Sequence, residues 1–303
     1  MTKSPFGSST PSENFDAMAR LRIRHQTIYR YRRPVAFGRH RLVIRPREGH
    51  DVFVESLKLT IQPAHQITWI RDIFGNSVAI VDFHARADEL VIENDVTIGR
   101  RLPFPDISGP EPWQISYPVV YDVLEAAATA PFLTPNFPDD VEIVRGWLNS
   151  LPFHPDANDA EAYLLRIGEH VHKTIRYQRR LEKGVQTPTK TLELRTGSCR
   201  DLATLTMEAA RTAGIASRFV SGYLDCRASE AGRAAMHAWV EFYLPTLGWR
   251  GYDPTLGEPT SLKHVTVGVS NHPRGVMPVS GMFTGNASET LQMIAQVQID
   301  KIG

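Results

Sequence analysis

The stretch RTGSCRDLATLTMEAARTAG, residues 195–214, decides how this chain is read, because it sets a cysteine at the start of a helix. Leu202, Leu205, Ala209 and Ala213 recur at helical spacing and form a small-apolar face that ends at Gly214, a residue suited to a left-handed helix stop. Ser198, with Asp201 three residues on, reads as a capping box: the hydroxyl accepts a free backbone N–H while the carboxylate reaches back. Cys199 then falls in the first turn. The unpaired N–H groups and partial positive charge there favour a thiolate, the reactive form of cysteine, and Arg200 adds charge of the same sign. A cysteine can equally be a small buried hydrophobe, but the helix start and the adjacent arginine favour a nucleophile. Cys226 follows Gly222-Tyr223-Leu224-Asp225 with no helix start and reads as structural or incidental.

A second stretch supplies a base. In MHAWVEFYL, residues 236–244, Met236, Ala238, Val240, Phe242 and Leu244 alternate onto one apolar face and His237 points to the other. Pro245 to Gly248 connects this strand to an antiparallel partner, Trp249 to Asp253. Pairing Leu244 with Trp249 would leave His237 three residues out of step with Asp253, about 10 Å at the usual strand rise. A bulge or looser turn near Pro245 to Gly251 is therefore expected to bring the two opposite each other. His237 would take the Cys199 proton, and Asp253 would hold the imidazole in the useful tautomer and stabilise it when charged.

Composition narrows the remaining classes. The 303 residues, 42% hydrophobic, are enough for one large core or two smaller ones. With 34 basic and 33 acidic residues the formal charge is +1, so no long-range pull toward nucleic acid or anionic membrane is expected. Two cysteines are too few for a disulfide framework and fit a reducing compartment. No zinc-type spacing, secretory leader or bilayer-length apolar run stands out, and a soluble cytoplasmic protein without metal or cofactor is expected.

Residues 1–19, rich in Ser and Pro, read as a flexible tail. Residues 20–115 read as an antiparallel β domain, since Leu57, Leu59 and Ile61, Leu42 with Ile44, and Val96 with Ile98 alternate at period two. A Pro-rich link, Pro103 to Pro118, precedes the catalytic region, taken as 116–303. There Leu164, Ile167, Val171 and Ile175 share a face of a helix over about 157–176, and Leu291 to Ile299 reads as a closing strand.

Taken together, Arg195-Thr196-Gly197-Ser198-Cys199-Arg200-Asp201, Ser221-Gly222-Tyr223, His237-Ala238-Trp239-Val240-Glu241, and Gly248-Trp249 with Tyr252-Asp253-Pro254-Thr255 resemble the bacterial transglutaminase-like proteins. The cysteine, histidine and aspartate follow in that family's order, 38 and then 16 residues apart. Tyr29-Arg30-Tyr31, Pro34-Val35, His40-Arg41-Leu42, Pro46-Arg47 and Asp72-Ile73-Phe74-Gly75-Asn76 resemble the N-terminal region that precedes such cores in bacteria. The resemblance implies a β-sandwich followed by an α+β, papain-like core, with Cys199, His237 and Asp253 catalytic and a peptide or protein as substrate. Ser198 stands where an apolar residue is common, and Thr204 where histidine is common. A thioester on Cys199 can be resolved by water or by an amine, so hydrolysis and cross-linking both follow from the resemblance. Hydrolysis is favoured, since no partner-docking feature is evident. Arylamine acetyltransferases share the residue order, but the Trp239 strand and the Arg200-Asp201 pair fit the present family better.

Between Arg20 and Arg47 stand ten arginines and no acid. Solvated strand faces and edge protection explain them better than nucleic-acid binding, because aromatic interleaving is thin. His170 and His172 face different ways on their helix, which argues against a shared metal. Tyr223 and Trp239 read as core. A catalytically silent binding module is the competing class, which retention of all three site residues disfavours; oligomeric state is not legible.

Overall fold

The computed structural model describes residues 18–101, 115–180, 182–225 and 236–302. Residues 1–17 of the expected tail, 103–114 of the link, and Cys226 lie outside them.

The period-two segments form β1 (Met18–Phe37), β2 (His40–Leu42), β3 (Val52–Gln62), β4 (His65–Arg71), β5 (Ser77–Phe83) and β6 (Arg86–Arg101). Helices follow: α1 (Val123–Leu133), α2 (Val141–Asn149), α3 (Ala160–Thr174), α4 (Pro188–Leu194) and α5 (Cys199–Thr212). Two short parallel strands, β7 (Arg176–Tyr177) and β8 (Thr196–Gly197), flank α4. The chain continues through β9 (Ser217–Leu224), β10 (Met236–Leu244), β11 (Gly248–Asp253), β12 (Glu258–Pro259) and β13 (His264–Ser270). It ends in β14 (Val279–Ser280), β15 (Phe283–Thr284) and β16 (Thr290–Lys301).

The first six strands build two antiparallel sheets, β15-β1-β6-β3 with β16 also on β1, and β14-β2-β5-β4. Leu42, Ile44, Ala79 and Val81 from one sheet meet Tyr31, Ile61, Leu90 and Ile92 from the other, the buried filling of a β-sandwich. The closing strand read at Leu291 to Ile299 is present, but it adds to this sandwich, with Leu21 opposite Lys301 and Ile28 opposite Ile294. Its apolar alternation marks a strand; which sheet it joins is a matter of long-range packing.

The second layer is the antiparallel sheet β12-β11-β10-β9-β13, covered by α5. Ala203, Met207 and Ala210 of α5 pack on Phe219, Ala238, Val240, Phe242 and Leu244. Met236, expected on that apolar face, instead packs into the cluster between the layers. In that cluster Tyr223, Val265 and Val267 meet Leu21, Ile23, Val96 and Ile98, so the two layers share an apolar interface. The tyrosine hydroxyl donates to Ile44 O at 3.2 Å and lies 3.2 Å from His25 Nδ1, whose burial pushes its pKa down to about 4.

Helix α5 departs from the one-faced amphipathic helix that its sequence suggests: every residue from Asp201 to Arg211 is buried. Its polar side chains are satisfied internally. Thr204 and Thr206 donate to the carbonyls of Arg200 and Leu202, at 2.7 and 2.9 Å, and Glu208 pairs with Arg211 at 3.0 Å. Arg211 also donates to the carbonyls of Thr134, Ser217 and Asn271, which offsets the desolvation of its charge.

The arginines of 20–47 are paired rather than displayed. Arg20 meets Glu55, Arg22 Asp95, Arg24 Asp300, Arg30 Glu89, Arg33 Glu289, Arg39 Asp82, Arg41 Asp72 and Arg45 Glu48. Arg32 and Arg47 donate to the carbonyls of Ser288 and Phe74. Edge protection is not their role on β1, which is flanked by β6 on one side and β16 on the other. Pairs this exposed add little stability one by one, but together they cancel the local positive field.

Candidate active site

Ser198 ends the extended backbone before α5, at φ −81° and ψ 172°, and forms a capping box with Asp201. Asp201 Oδ2 accepts the Ser198 backbone N–H and the Ser198 hydroxyl, both at 2.8 Å. Its carboxylate also accepts Arg180 Nη1 at 2.7 and 2.8 Å and the Gln186 N–H at 2.7 Å, tying the segment before α4 to the helix start. Cys199, half-buried, is thereby held as the first residue of α5, where backbone N–H groups lack intrahelical acceptors.

His237 is the second residue of β10 and Asp253 the last of β11, both buried, with His237 Nε2 donating to Asp253 Oδ2 at 2.6 Å. Nδ1 is the nitrogen left to face the thiol. Burial opposes a charged ring, yet the hydrogen bonds with Asp253 and Cys199 and the charges of both outweigh it and push the His237 pKa up to about 10. Asp253 is the converse: burial alone would raise its pKa, but the bonds from His237 and His264 and their charges hold it well below the ordinary carboxylate range. The three residues singled out from sequence therefore stand together, with thiol, imidazole and carboxylate acting on one another.

The route by which they meet differs from the expected one. Pairing is regular from Val240 opposite Tyr252 to Leu244 opposite Gly248, with no bulge. The turn occupies Pro245 to Leu247, and left-handed Thr246 (φ 67°) and Gly248 (φ 71°) close it over three residues. That register sets Asp253 across from Trp239, two residues from His237 on the same side of the strand. A diagonal approach of this kind is within side-chain reach. The offset of three was thus overestimated by one residue, and a bulge is unnecessary.

Sequence reasoning missed His264, the first residue of β13. Its Nε2 lies 3.1 Å from Asp253 Oδ2, while the Ser261 N–H donates to its Nδ1 at 3.1 Å. Because Nδ1 accepts the Ser261 N–H, Nε2 is the nitrogen that donates to the carboxylate. Asp253 Oδ1 accepts the N–H groups of Thr255 and Leu256, at 2.8 and 3.3 Å, so both oxygens are held. No local signal distinguishes His264 from a core histidine; only the proximity of the start of β13 to the end of β11 gives it a partner. Replacing His264 with Ala should let the carboxylate tilt and lower kcat by about tenfold with KM unchanged. Steady-state kinetics on a peptide amide checks this.

Trp239, fully buried, packs beside both histidines, its ring 6.3 Å from His237 and 5.1 Å edge-on from His264. Gly222, opposite His237 in the β9–β10 pairing, makes room for it. A Cβ at Gly222 would come within 2.3 Å of both Trp239 Cη2 and Val265 O. Gly222→Ala should therefore cost about 1–3 kcal/mol or more in denaturant unfolding, as an overpacked site beside backbone that cannot give way. His170 and His172 go to different neighbours, the former against Trp147 and Phe153, the latter donating from Nδ1 to Thr255 O at 3.1 Å. Among the described residues no cluster of metal-ligating side chains occurs, and no helix is long and apolar enough to cross a membrane.

Residues 21–98 match the bacterial transglutaminase-like N-terminal region, and residues 153–254, which include Cys199, His237 and Asp253, match the transglutaminase-like superfamily. An uncharacterized protein of Mycobacterium leprae (strain TN) is 25% identical over 291 residues, covering 92% of this chain and 99% of its own. One from Mycobacterium tuberculosis (strain ATCC 25618 / H37Rv) is 26% identical over 302 residues, covering 93% and 92%. A solved structure of a candidate cysteine protease from Cytophaga hutchinsonii superposes with a TM-score of 0.69 at 16% identity, covering 94% of this chain and 91% of its own. At that identity the likeness is one of fold.

Proposed function

Starting from a chain that is a bacterial transglutaminase-like protein, with a transglutaminase-like core behind its N-terminal region, we propose that it is a cysteine-dependent hydrolase of peptide or side-chain amides. Cys199 Sγ, its proton passed to His237, attacks the amide carbonyl carbon. The imidazolium returns the proton to the departing nitrogen as the C–N bond breaks, leaving a thioester on Cys199. His237 then takes a proton from water, whose oxygen attacks the thioester carbon, and the acid leaves as the thiol is restored. Asp253 keeps the ring oriented and its charge compensated throughout.

The observation that carries this reading is the 2.6 Å contact from buried Asp253 to His237, a ring that also interacts with the Cys199 thiol at a helix start. A reducing compartment suits the reaction, because Cys199 must remain a thiol. Intact-mass spectrometry of the protein mixed with a peptide library tests it: a wild-type adduct of acyl mass, absent from Cys199→Ala and decaying in water, is expected. If no adduct forms and the two cysteines alkylate at equal slow rates, the reading fails.

A further inference from the structure

The fold treats two sets of cations differently. Over 20–47, eight of ten arginines meet carboxylates. Residues 176–200, which run up to and around the nucleophile, carry seven basic residues against two acidic ones. There Arg180 is ion-paired, with Asp201 and, at 3.6 Å, with Glu182. Among the described residues, Arg176, Arg179, Arg195 and Arg200 have no carboxylate within ion-pair distance, and the first three are exposed. Asp201, the acid nearest Cys199 in the chain, is buried and already spent on Arg180 and the helix start.

Backbone pairing sets part of the chain that carries this charge beside the approach to Cys199. In the parallel β7–β8 pair, Arg176 lies opposite Thr196 and Tyr177 opposite Gly197, and the Gln178 N–H donates to Gly197 O at 2.7 Å. The chain from Tyr177 to Arg179 thus runs alongside the approach to Cys199. Arg200, the next residue of the helix, donates to Glu182 O at 3.3 Å and so joins that strand's continuation to the helix start. Tyr177 registers the neighbourhood: burial raises its phenol pKa, Cys199 raises it further, and Arg179 and Arg200 act the other way.

We propose that these cations, led by Arg179 and Arg200, select peptides bearing a carboxylate within a few residues of the amide that Cys199 attacks. The inference rests on the hydrolase reading and deepens it by naming the substrate as an acidic peptide. Charge complementarity is the argument, and screening limits its reach to about 8 Å at physiological salt, which means residues flanking the scissile bond.

Matched peptides that differ in one flanking residue, Glu, Gln or Lys, test it with the full chain. We expect kcat/KM for the Glu peptide to exceed that for the Gln peptide by about tenfold at low salt, to shrink toward parity near 1 M salt, and to reverse in Arg179→Glu. Equal turnover of all three peptides, or an equal loss on all three in Arg179→Glu, overturns the proposal. A second measurement is independent of turnover: the ratio of iodoacetate to iodoacetamide alkylation rates at Cys199, read by peptide mass spectrometry. The cluster should raise that ratio about fivefold over free cysteine, and Arg179→Glu should abolish the excess. A high ratio with no amide cleavage would sink the hydrolase reading while upholding an anion-attracting site; a ratio no higher than that of free cysteine overturns the anion selection itself.

Discussion

Asp253→Asn lowers kcat/KM for amide hydrolysis by about 10³- to 10⁴-fold, because the amide presents neither the charge nor the acceptor geometry that holds His237 in its working tautomer. The pH profile moves as well. With Asp253 and Cys199 beside it, His237 keeps its proton up to about pH 10, so the wild-type alkaline limb lies far above an ordinary histidine's. Removing the carboxylate's charge shifts that limb toward neutrality by a unit or more, as kcat/KM measured from pH 5 to 11 should reveal.

The same pair links stability to pH, with opposite signs at the two ends. The His237 pKa is raised on folding, so its contribution is complete below about pH 6.5 and is lost as pH rises through about 10. The Asp253 pKa is lowered on folding, so its contribution is complete above about pH 4 and is lost as pH falls below that. Between those limits Asp253→Asn should cost about 1–3 kcal/mol in denaturant unfolding, since donors from His237 and His264 converge on one buried oxygen. A variant as stable as wild type and equally active would remove Asp253 from the mechanism.

Cys199→Ala is expected to remove hydrolysis by at least about 10⁴-fold, because it takes away the sulfur on which the thioester forms. Its effect on folding should be small. Cys199 is half-buried at the end of the helix, and the capping contacts of that end belong to Ser198 and Asp201. Circular dichroism and a thermal midpoint within about 3 °C of wild type would separate lost chemistry from lost structure. The companion observation is iodoacetamide labelling of wild type, rapid at Cys199 and markedly slower after His237→Ala. Residual turnover in Cys199→Ala within tenfold of wild type would assign the chemistry elsewhere.

Local order in the chain determined a good deal. Ser198 and Asp201 at their spacing announce a helix start with Cys199 in its first turn, because capping is a contact between residues three apart. Alternation over 236–244 announces a buried strand, and Gly214 a helix end, for reasons equally local. The grouping of Cys199, His237 and Asp253 was legible only as an ordered pattern resembling a family. Its geometry was decided by a three-residue turn, whose length depends on the left-handed Thr246 and Gly248.

Tertiary structure alone decided what depends on residues far apart in the chain. His264 reaches Asp253 because sheet order brings the first residue of one strand to the last of another, and no periodicity encodes that meeting. Strand 290–301 returns some 270 residues to lie on β1, and the arginines of that region find acids on neighbouring strands instead of presenting a positive face. Helix 199–212 looks one-sided in sequence yet is buried all round, since threonines can bond their own backbone and Glu208 can neutralise Arg211. Polarity in a sequence states only that a partner is required; the folded chain chooses between water, backbone and another side chain.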